Sequence, residues 1–213
     1  MSAPRHLATV PKFSYVVLVA SLGGMDAFSK VLSGLPASFP VPVLVVQHRA
    51  QTSVGDPLVA VLARRTELPV HVAEDATPAA QPGVTVVPGA TIATIDADGR
   101  WLLEPATRGV GTGDALLMSA AEAGPTIAVI LTGYQGDGSR GCRAVKLRGG
   151  RVLVQDPSDA RAPDMPANAI ATGCADFVLP LQRIPSALLA LATAPGAADL
   201  LTVPIPPWAR LSS

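Results

Sequence analysis

Three residues of the chain have side chains that together can hydrolyse an ester or amide. Ser21 and His48 each directly follow a predicted buried strand, and Asp137 lies in the glycine-rich loop after another apolar run. Serine supplies a nucleophile, histidine a general base, and aspartate a carboxylate that orients the imidazole. The types and positions of these residues therefore predict a serine-hydrolase triad.

Each of the three residues also has an ordinary structural explanation. Ser21 precedes two glycines and can cap the following helix, a lone histidine such as His48 is usually structural or solvated, and Asp137 can fix its own glycine turn. Their joint position favours catalysis, because parallel strands bring their carboxyl ends to one edge of a sheet. We therefore expect hydroxyl-to-imidazole and imidazole-to-carboxylate contacts within about 3.5 Å, with looser contacts in an unliganded site.

Two familiar glycine motifs do not fit the turn around Ser21. The nucleophile elbow of α/β-hydrolases requires a glycine two residues before the serine, where this chain has Val19. The stretch from Ala20 to Gly24 also lacks the G-x-G-x-x-G pattern of a dinucleotide site. The turn is thus neither of these motifs.

The remaining histidines and cysteines are expected to be structural. His6 lies near the start of the chain and His71 lies inside a short predicted strand, far from its carboxyl end. Cys142 and Cys174 do not have the spacing of a metal or redox site, and two lone thiols are typical of a reducing cytoplasm. No metal is predicted.

Predicted strands alternate with segments of helical spacing along most of the chain. The unbroken apolar runs are typical of parallel strands that are buried on both faces. Residues 83–104 add a strand and an antiparallel hairpin. We expect an α/β fold with a doubly wound, mostly parallel sheet, helices on both faces and a small antiparallel hairpin. Strands are expected at 16–20, 43–47, 70–73, 83–88, 126–131, 151–155 and 177–179, and helices at 27–35, 56–65, 114–123, 141–148, 166–172 and 185–192.

The amino-acid composition limits the possible domain organisation and the possible classes of function. The 213 residues are 49% hydrophobic and 15% charged, with zero formal net charge and 4% aromatic content, which argues against a nucleic-acid surface. Prolines interrupt the longest uncharged run, so no membrane span is predicted. We expect an arm at residues 1–12, one domain at 13–194 and a proline-rich tail at 195–213, in a soluble cytoplasmic protein.

At the candidate triad the sequence resembles the catalytic domain of the chemotaxis protein-glutamate methylesterases, the CheB type. The resemblance covers most of residues 15–192, and the order and spacing of its motifs are specific. The stretches that carry it are Ala20-Ser21-Leu22-Gly23-Gly24, Leu35 to His48, Ala128 to Gly133, Gly136-Asp137-Gly138, Gly149-Gly150, Val154-Gln155-Asp156-Pro157 and Met165-Pro166.

The resemblance implies a function for the predicted domain. It implies hydrolysis of γ-glutamyl methyl esters on the cytoplasmic helices of methylated chemoreceptors, with glutamine deamidation as a second activity and no metal or organic cofactor. The family's catalytic residues fall on Ser21, His48 and Asp137. By the same resemblance, Leu22, Tyr134 and Gly133 are expected to position the substrate or bind the oxyanion through backbone N–H groups.

Several departures from the family pattern keep two other functions open. The family often has threonine at the position of Leu22 and methionine at that of Tyr134, and Val110-Gly111-Thr112 replaces the usual Arg-Pro-Ser. The receiver domain of two-domain relatives has no counterpart in these residues, so a stand-alone catalytic domain is expected. The alternatives are a serine hydrolase acting on another ester or amide, and a degenerate module that binds receptor without turnover.

Overall fold

The computed structural model describes residues 12–50, 56–194, 196–200 and 203–210. Nearly all of the predicted arm therefore lies outside the described residues. The strands are β1 (Tyr15–Ala20), β2 (Val43–Gln47), β3 (Val70–Val72), β4 (Val84–Val86), β5 (Thr91–Ile95), β6 (Trp101–Pro105), β7 (Thr126–Ile130), β8 (Arg151–Gln155) and β9 (Phe177–Leu179). The helices are α1 (Gly24–Leu32), α2 (Pro57–Leu62), α3 (Thr112–Ala123), α4 (Ser139–Leu147), α5 (Asp164–Ala171), α6 (Ile184–Thr193) and α7 (Ala197–Leu200).

Seven of the strands form one parallel sheet, in the order β3-β4-β2-β1-β7-β8-β9. From β1 the chain first adds strands on one side and later returns to add β7 on the other. Such a reversal of strand order opens a crevice at the carboxyl ends of the strands, where α/β proteins bind ligands. Strands β5 and β6 pair antiparallel as a separate two-stranded sheet. The predicted fold class is confirmed.

Alternate residues of β1 face two separate hydrophobic cores. Val16 and Leu18 belong to the core packed against α1, α2 and α6, whereas Val17 and Val19 belong to the core packed against α3, α4 and α5. Because both faces of the central strand are fully covered, its sequence is an unbroken apolar run rather than an alternating one. The sheet is thus a rigid layer whose carboxyl edge carries the loops.

The carboxyl-terminal segment contains more structure than the sequence predicts. Helix α7 and a 3₁₀ helix at Pro207–Arg210 lie within the expected tail. The Trp208 indole covers Gly173, just after α5, so closely that a Cβ at Gly173 would lie 2.6 Å from the ring. Val203 N–H donates to the Asp176 carboxylate at 2.9 Å. These contacts tie the described part of the segment to the domain, although its sequence has no clear periodicity.

Candidate active site

The turn that carries Ser21 is held by the strands on either side of β1. Ser21 N–H donates to Thr132 O at 3.0 Å, beyond the end of β7. On the other side, Gln47 Nε2 donates to Ser21 O at 2.9 Å. Gly23 has φ +81°, a left-handed conformation that favours glycine and lets the chain turn at once into α1. Ser21 is therefore fixed at the carboxyl edge, partly buried.

His48 lies at the same edge, one strand away. Its backbone N–H donates to Ala20 O at 3.1 Å, which continues the pairing of β2 with β1. The next residue, Arg49, donates to Val87 O at 3.0 Å and forms an ion pair with Asp56, and its carbonyl accepts from Ala90 N–H at 2.9 Å. These bonds anchor the backbone around His48, whose side chain is exposed.

The Asp137 carboxylate is bound at the amino terminus of α3. Gly113 N–H donates to Oδ2 and Asp114 N–H to Oδ1, both at 2.9 Å. These N–H groups belong to the first turn of the helix, where they have no partner within the helix and the helix dipole favours a negative charge. Glycine is required there, since a Cβ on Gly111 would lie 2.3 Å from Oδ1.

All three candidate residues line one cavity of about 490 Å³ at this edge. The predicted contacts among them are absent, however. Within the described residues, neither the Ser21 hydroxyl nor the His48 imidazole makes a hydrogen bond, and Asp137 forms no ion pair with His48. The contacts expected at about 3.5 Å are therefore not formed as hydrogen bonds in this structure, which holds no substrate. In this structure the Asp137 oxygens instead accept from N–H groups in the first turn of α3.

The expected backbone donors are also partly corrected. Gly133 N–H donates to Ala162 O at 2.9 Å, so it is not available to an oxyanion. Gly133 instead allows close packing, because a Cβ there would lie 2.9 Å from the Ser21 Cβ. The N–H groups of Leu22 and Tyr134 find no acceptor among the described residues. They are the better candidates for oxyanion donors.

Four residues near the triad were not assigned a role from the sequence. Asp114 is buried, accepts from Gly141 N–H at 2.8 Å and pairs with Arg140 at 3.3 Å. Arg108, Arg140 and Met165 line the cavity together with Asp114. Residues 106–112 and 134–137 form much of the remaining wall. Neither Arg108, in an irregular loop, nor Arg140, on α4, gives a sequence signal that it lines the same cavity as Ser21.

The residues expected to be structural lie away from the cavity. His71 is in β3, opposite Thr85 of β4, and does not line the cavity. Cys142 and Cys174 are buried free thiols. Burial, with the neighbouring Cys174 and Asp114, raises the pKa of Cys142 well above its ordinary value. No group of three or more side chains able to hold a metal ion occurs among the described residues.

A comparison with models of protein families identifies the family of this chain. The model of the CheB methylesterase family matches residues 16–188. The chain therefore belongs to the CheB methylesterase family. None of the helices within the described ranges has the length and apolar composition needed to cross a membrane.

Individual relatives support the same assignment. The chain is 38% identical over 192 residues to the protein-glutamate methylesterase FrzG of Myxococcus xanthus, covering 88% of this chain and 57% of the relative. It is 35% identical over 204 residues to a protein-glutamate methylesterase/protein-glutamine glutaminase of Moorella thermoacetica, covering 87% and 46%. The chain thus spans about half the length of these relatives.

A solved structure shares the fold. The crystal structure of the Thermotoga maritima CheB methylesterase catalytic domain matches with a TM-score of 0.78 and 34% sequence identity. The match covers 84% of this chain and 99% of that domain. The chain therefore resembles a CheB methylesterase catalytic domain over nearly the whole length of that domain.

Proposed function

We propose that the protein is a serine esterase that hydrolyses glutamate methyl esters on chemoreceptors. The observation that carries this proposal is the cavity shared by Ser21, His48 and Asp137 in a chain of this family. The reaction needs a nucleophile, a base and an oxyanion site at one place, and the carboxyl edge of the sheet offers all three.

The first half of the proposed reaction acylates Ser21. The hydroxyl oxygen attacks the ester carbonyl carbon while His48 takes the hydroxyl proton. The carbonyl oxygen becomes an oxyanion, which the N–H groups of Leu22 and Tyr134 stabilise because they have no acceptor among the described residues. The tetrahedral intermediate then collapses, and His48 gives its proton to the leaving methoxide. Methanol leaves, and the glutamyl group remains on Ser21 as an ester.

The second half of the proposed reaction removes the acyl group from Ser21 and regenerates the free enzyme. His48 takes a proton from water as the water attacks the acyl carbonyl, and then protonates the Ser21 oxygen as the bond to it breaks. The products are a receptor glutamate and the free serine. A glutamine side chain would follow the same route and release ammonia in place of methanol. The names of several relatives, which combine methylesterase with glutaminase, support this second substrate.

Asp137 orients the His48 imidazole and stabilises the imidazolium in this proposal. Each carboxylate oxygen has two acceptor sites. Oδ2 accepts from Gly113 N–H and, at 3.5 Å, from the Thr112 hydroxyl, whereas Oδ1 accepts only from Asp114 N–H among the described residues. The second site of Oδ1 can accept from the imidazole when substrate binds, since catalytic hydrogen bonds often tighten only in the substrate complex. The helix terminus thus fixes the carboxylate with neutral donors and not with a cation.

The proposed partners are methylated chemoreceptor helices, and the proposed compartment is the cytoplasm, where those helices lie. The FrzG name and the family description support an esterase that acts on protein glutamate. The proposed steps use side chains and N–H groups of the chain, the substrate and one water molecule, and none of them calls for a metal or an organic cofactor.

The test is methanol release from a methylated receptor fragment by the wild type and by Ser21→Ala. We expect the substitution to lower turnover by about 10⁶-fold, because the covalent route is lost. Ser33→Ala is the matched control, since Ser33 is an exposed serine after α1 and outside the cavity. Thermal melts should agree among the three proteins, since no large core volume is removed.

Two results would point to a different function, and a third would change only the assignment of the nucleophile. Turnover of small esters without turnover of receptor would indicate a hydrolase with another substrate. Receptor binding by an inactive wild type would indicate a degenerate module, with Leu22 and Tyr134 as the first positions to examine. Receptor turnover that survives Ser21→Ala would show that another group is the nucleophile.

A further inference from the structure

Gln135 has a backbone conformation that is unfavourable for a residue with a side chain. Its φ is +67°, in the left-handed region that residues other than glycine rarely adopt. Among the described residues, Ala76 and Ala90 are the other non-glycine residues with a positive φ, and neither lines the catalytic cavity as Gln135 does. Such a conformation persists only where the surrounding structure holds it. Contacts from outside the loop must therefore stabilise Gln135.

Gln135 lies between two groups that the proposed reaction uses. Tyr134, whose N–H is a proposed oxyanion donor, directly precedes it, and Asp137 follows two residues later. Because peptide bonds are planar, a rotation about the φ of Gln135 would move one of these groups relative to the other. The left-handed turn at Gln135 therefore sets how Tyr134 and Asp137 are arranged in the cavity that both of them line.

The segment that leads into α5 holds the loop on the amino-terminal side of Gln135. Gly133 N–H donates to Ala162 O, and Met165 N–H donates to Gly133 O, both at 2.9 Å. Since the peptide bond between Gly133 and Tyr134 is planar, the bond to Gly133 O also fixes the direction of the Tyr134 N–H. These bonds join backbone groups, so their donors and acceptors stay in place when a side chain of α5 is substituted.

A side chain of α5 holds the loop on the carboxyl-terminal side of Gln135. Asn168 Nδ2 donates to Gln135 O at 2.7 Å, and this carbonyl belongs to the peptide that joins Gln135 to Gly136. The Asn168 side chain also packs against Gly136, where a Cβ would lie 3.5 Å from Nδ2. The amide of Asn168 therefore fixes the peptide whose orientation the positive φ of Gln135 produces.

We propose that Asn168 is a positioning residue of the esterase. It keeps Gln135 in the left-handed conformation and thereby holds the Tyr134 N–H and the Asp137 carboxylate in place for the reaction. This inference rests on the proposed function. Asn168 lies outside the catalytic cavity, so it acts on the geometry of the site and takes no part in breaking bonds. Donors to an oxyanion are effective when they are already in place, and a small displacement of catalytic groups can cost up to about 10²-fold in rate.

The experiment compares Asn168→Ala with Gln182→Ala. Both substitutions remove an exposed amide side chain, but Gln182 lies in the 3₁₀ helix Leu181–Arg183, outside the cavity. Each protein is assayed for methanol release from a methylated receptor fragment and for cleavage of p-nitrophenyl acetate. We expect Asn168→Ala to lower receptor kcat by about tenfold and to change KM by less than about twofold, with a similar loss on p-nitrophenyl acetate. Gln182→Ala should match the wild type on both substrates.

The fold should be unaffected by Asn168→Ala. Asn168 is exposed on α5, and alanine has a higher helix propensity than asparagine, so the melting temperature should not fall below that of the wild type. A lower turnover at an unchanged melting temperature reports on the geometry of the site and not on the amount of folded protein.

Gln135→Gly provides a second test, because it removes the strain that Asn168 is proposed to offset. Glycine adopts a positive φ readily, so the turn should depend less on the bond from Asn168. Measured against Gln135→Gly itself, adding Asn168→Ala should lower kcat by less than about threefold rather than by about tenfold. This reduced loss would show that the two residues act together.

Three results would overturn the inference and leave the proposed function intact. The first is an unchanged kcat in Asn168→Ala. The second is an equal loss with and without Gln135→Gly, since Asn168 would then act independently of the strain. The third is a loss on receptor alone, which would assign Asn168 to partner binding. Conversely, a wild type that cleaves p-nitrophenyl acetate but not receptor would remove the proposed substrate, and the expected losses on the small ester would still support the positioning role.

Discussion

Two carboxylates of the domain, Asp137 and Asp176, accept similar backbone hydrogen bonds in different surroundings. Asp137 accepts from Gly113 and Asp114 N–H at the start of α3. Asp176 accepts from Val152 and Val203 N–H, both at 2.9 Å, and also pairs with Lys146. The Asp176 side chain is fully buried and that of Lys146 is 5% exposed.

The difference lies in the balancing charge. The negative charge of Asp176 is matched by a lysine, so that site is complete and serves the fold. Asp137 forms no ion pair among the described residues and lines a cavity with His48, so only neutral donors, two helix N–H groups and the Thr112 hydroxyl, face its charge. A carboxylate without a cation is suited to stabilise an imidazolium that forms during a reaction. The comparison separates a carboxylate that holds structure from one proposed to support catalysis.

Among the substitutions that test this comparison, Asp137→Asn should have the largest effect on turnover. We expect receptor turnover to fall by roughly 10⁴-fold, because the imidazole loses the carboxylate that sets its tautomer. The cost in stability should be about 1 kcal/mol, since the amide oxygen can still accept one α3 N–H while the amide nitrogen cannot accept the other. Methanol release and urea unfolding measure the two quantities. A loss of stability without a loss of turnover would assign Asp137 to the fold alone.

Asp176→Ala should show the opposite behaviour. It leaves the Lys146 ammonium buried without its carboxylate, so we expect the free energy of unfolding to fall by about 3–5 kcal/mol. Folded protein should keep its turnover, because Asp176 does not line the catalytic cavity. Urea unfolding is the measurement. The double variant Lys146→Met with Asp176→Asn is the control, and it should recover most of the loss because no buried charge remains.

The sequence was sufficient for the sheet, since continuous apolar runs mark strands buried on both faces. It was also sufficient to place Ser21, His48 and Asp137 at one edge, because the carboxyl ends of parallel strands share that edge. Local pattern decides both of these features. Both features depend only on strand direction and on position along the chain, so the sequence predicts them correctly.

The contacts around the site depend on residues distant in the chain. Gly133 was expected to donate to an oxyanion, but its N–H is used by Ala162, a residue in the irregular segment before α5. Asp137 reaches the start of α3 because glycines at 111 and 113 let the backbone approach the carboxylate. Likewise, Val203 of the expected tail completes the Asp176 site. The periodicity of hydrophobic residues carries no information about hydrogen bonds between residues that are distant in the chain.

Gly113→Ala tests whether close approach to Asp137 is needed. A Cβ at this position would lie 2.4 Å from Val19 Cγ1 and 3.1 Å from Asp137 Oδ2. We expect a loss of about 1–3 kcal/mol in stability, as for overpacking, with a lower turnover because the carboxylate is displaced. Gly113→Val should be worse in both respects. Wild-type stability and turnover in Gly113→Ala would show that the start of α3 adjusts freely.

The smallest effect should come from His71→Gln. β3 is separated from β2 by β4, so two strand spacings, about 10 Å, lie between the strand of His71 and the strand that ends at His48. His71 is also paired in mid-strand with Thr85, away from the carboxyl edge. Receptor turnover should therefore stay within a few-fold of wild type, whereas His48→Ala in the same assay should lose nearly all of it. A loss in His71→Gln as large as in His48→Ala would mean that the base of the reaction had been assigned to the wrong histidine.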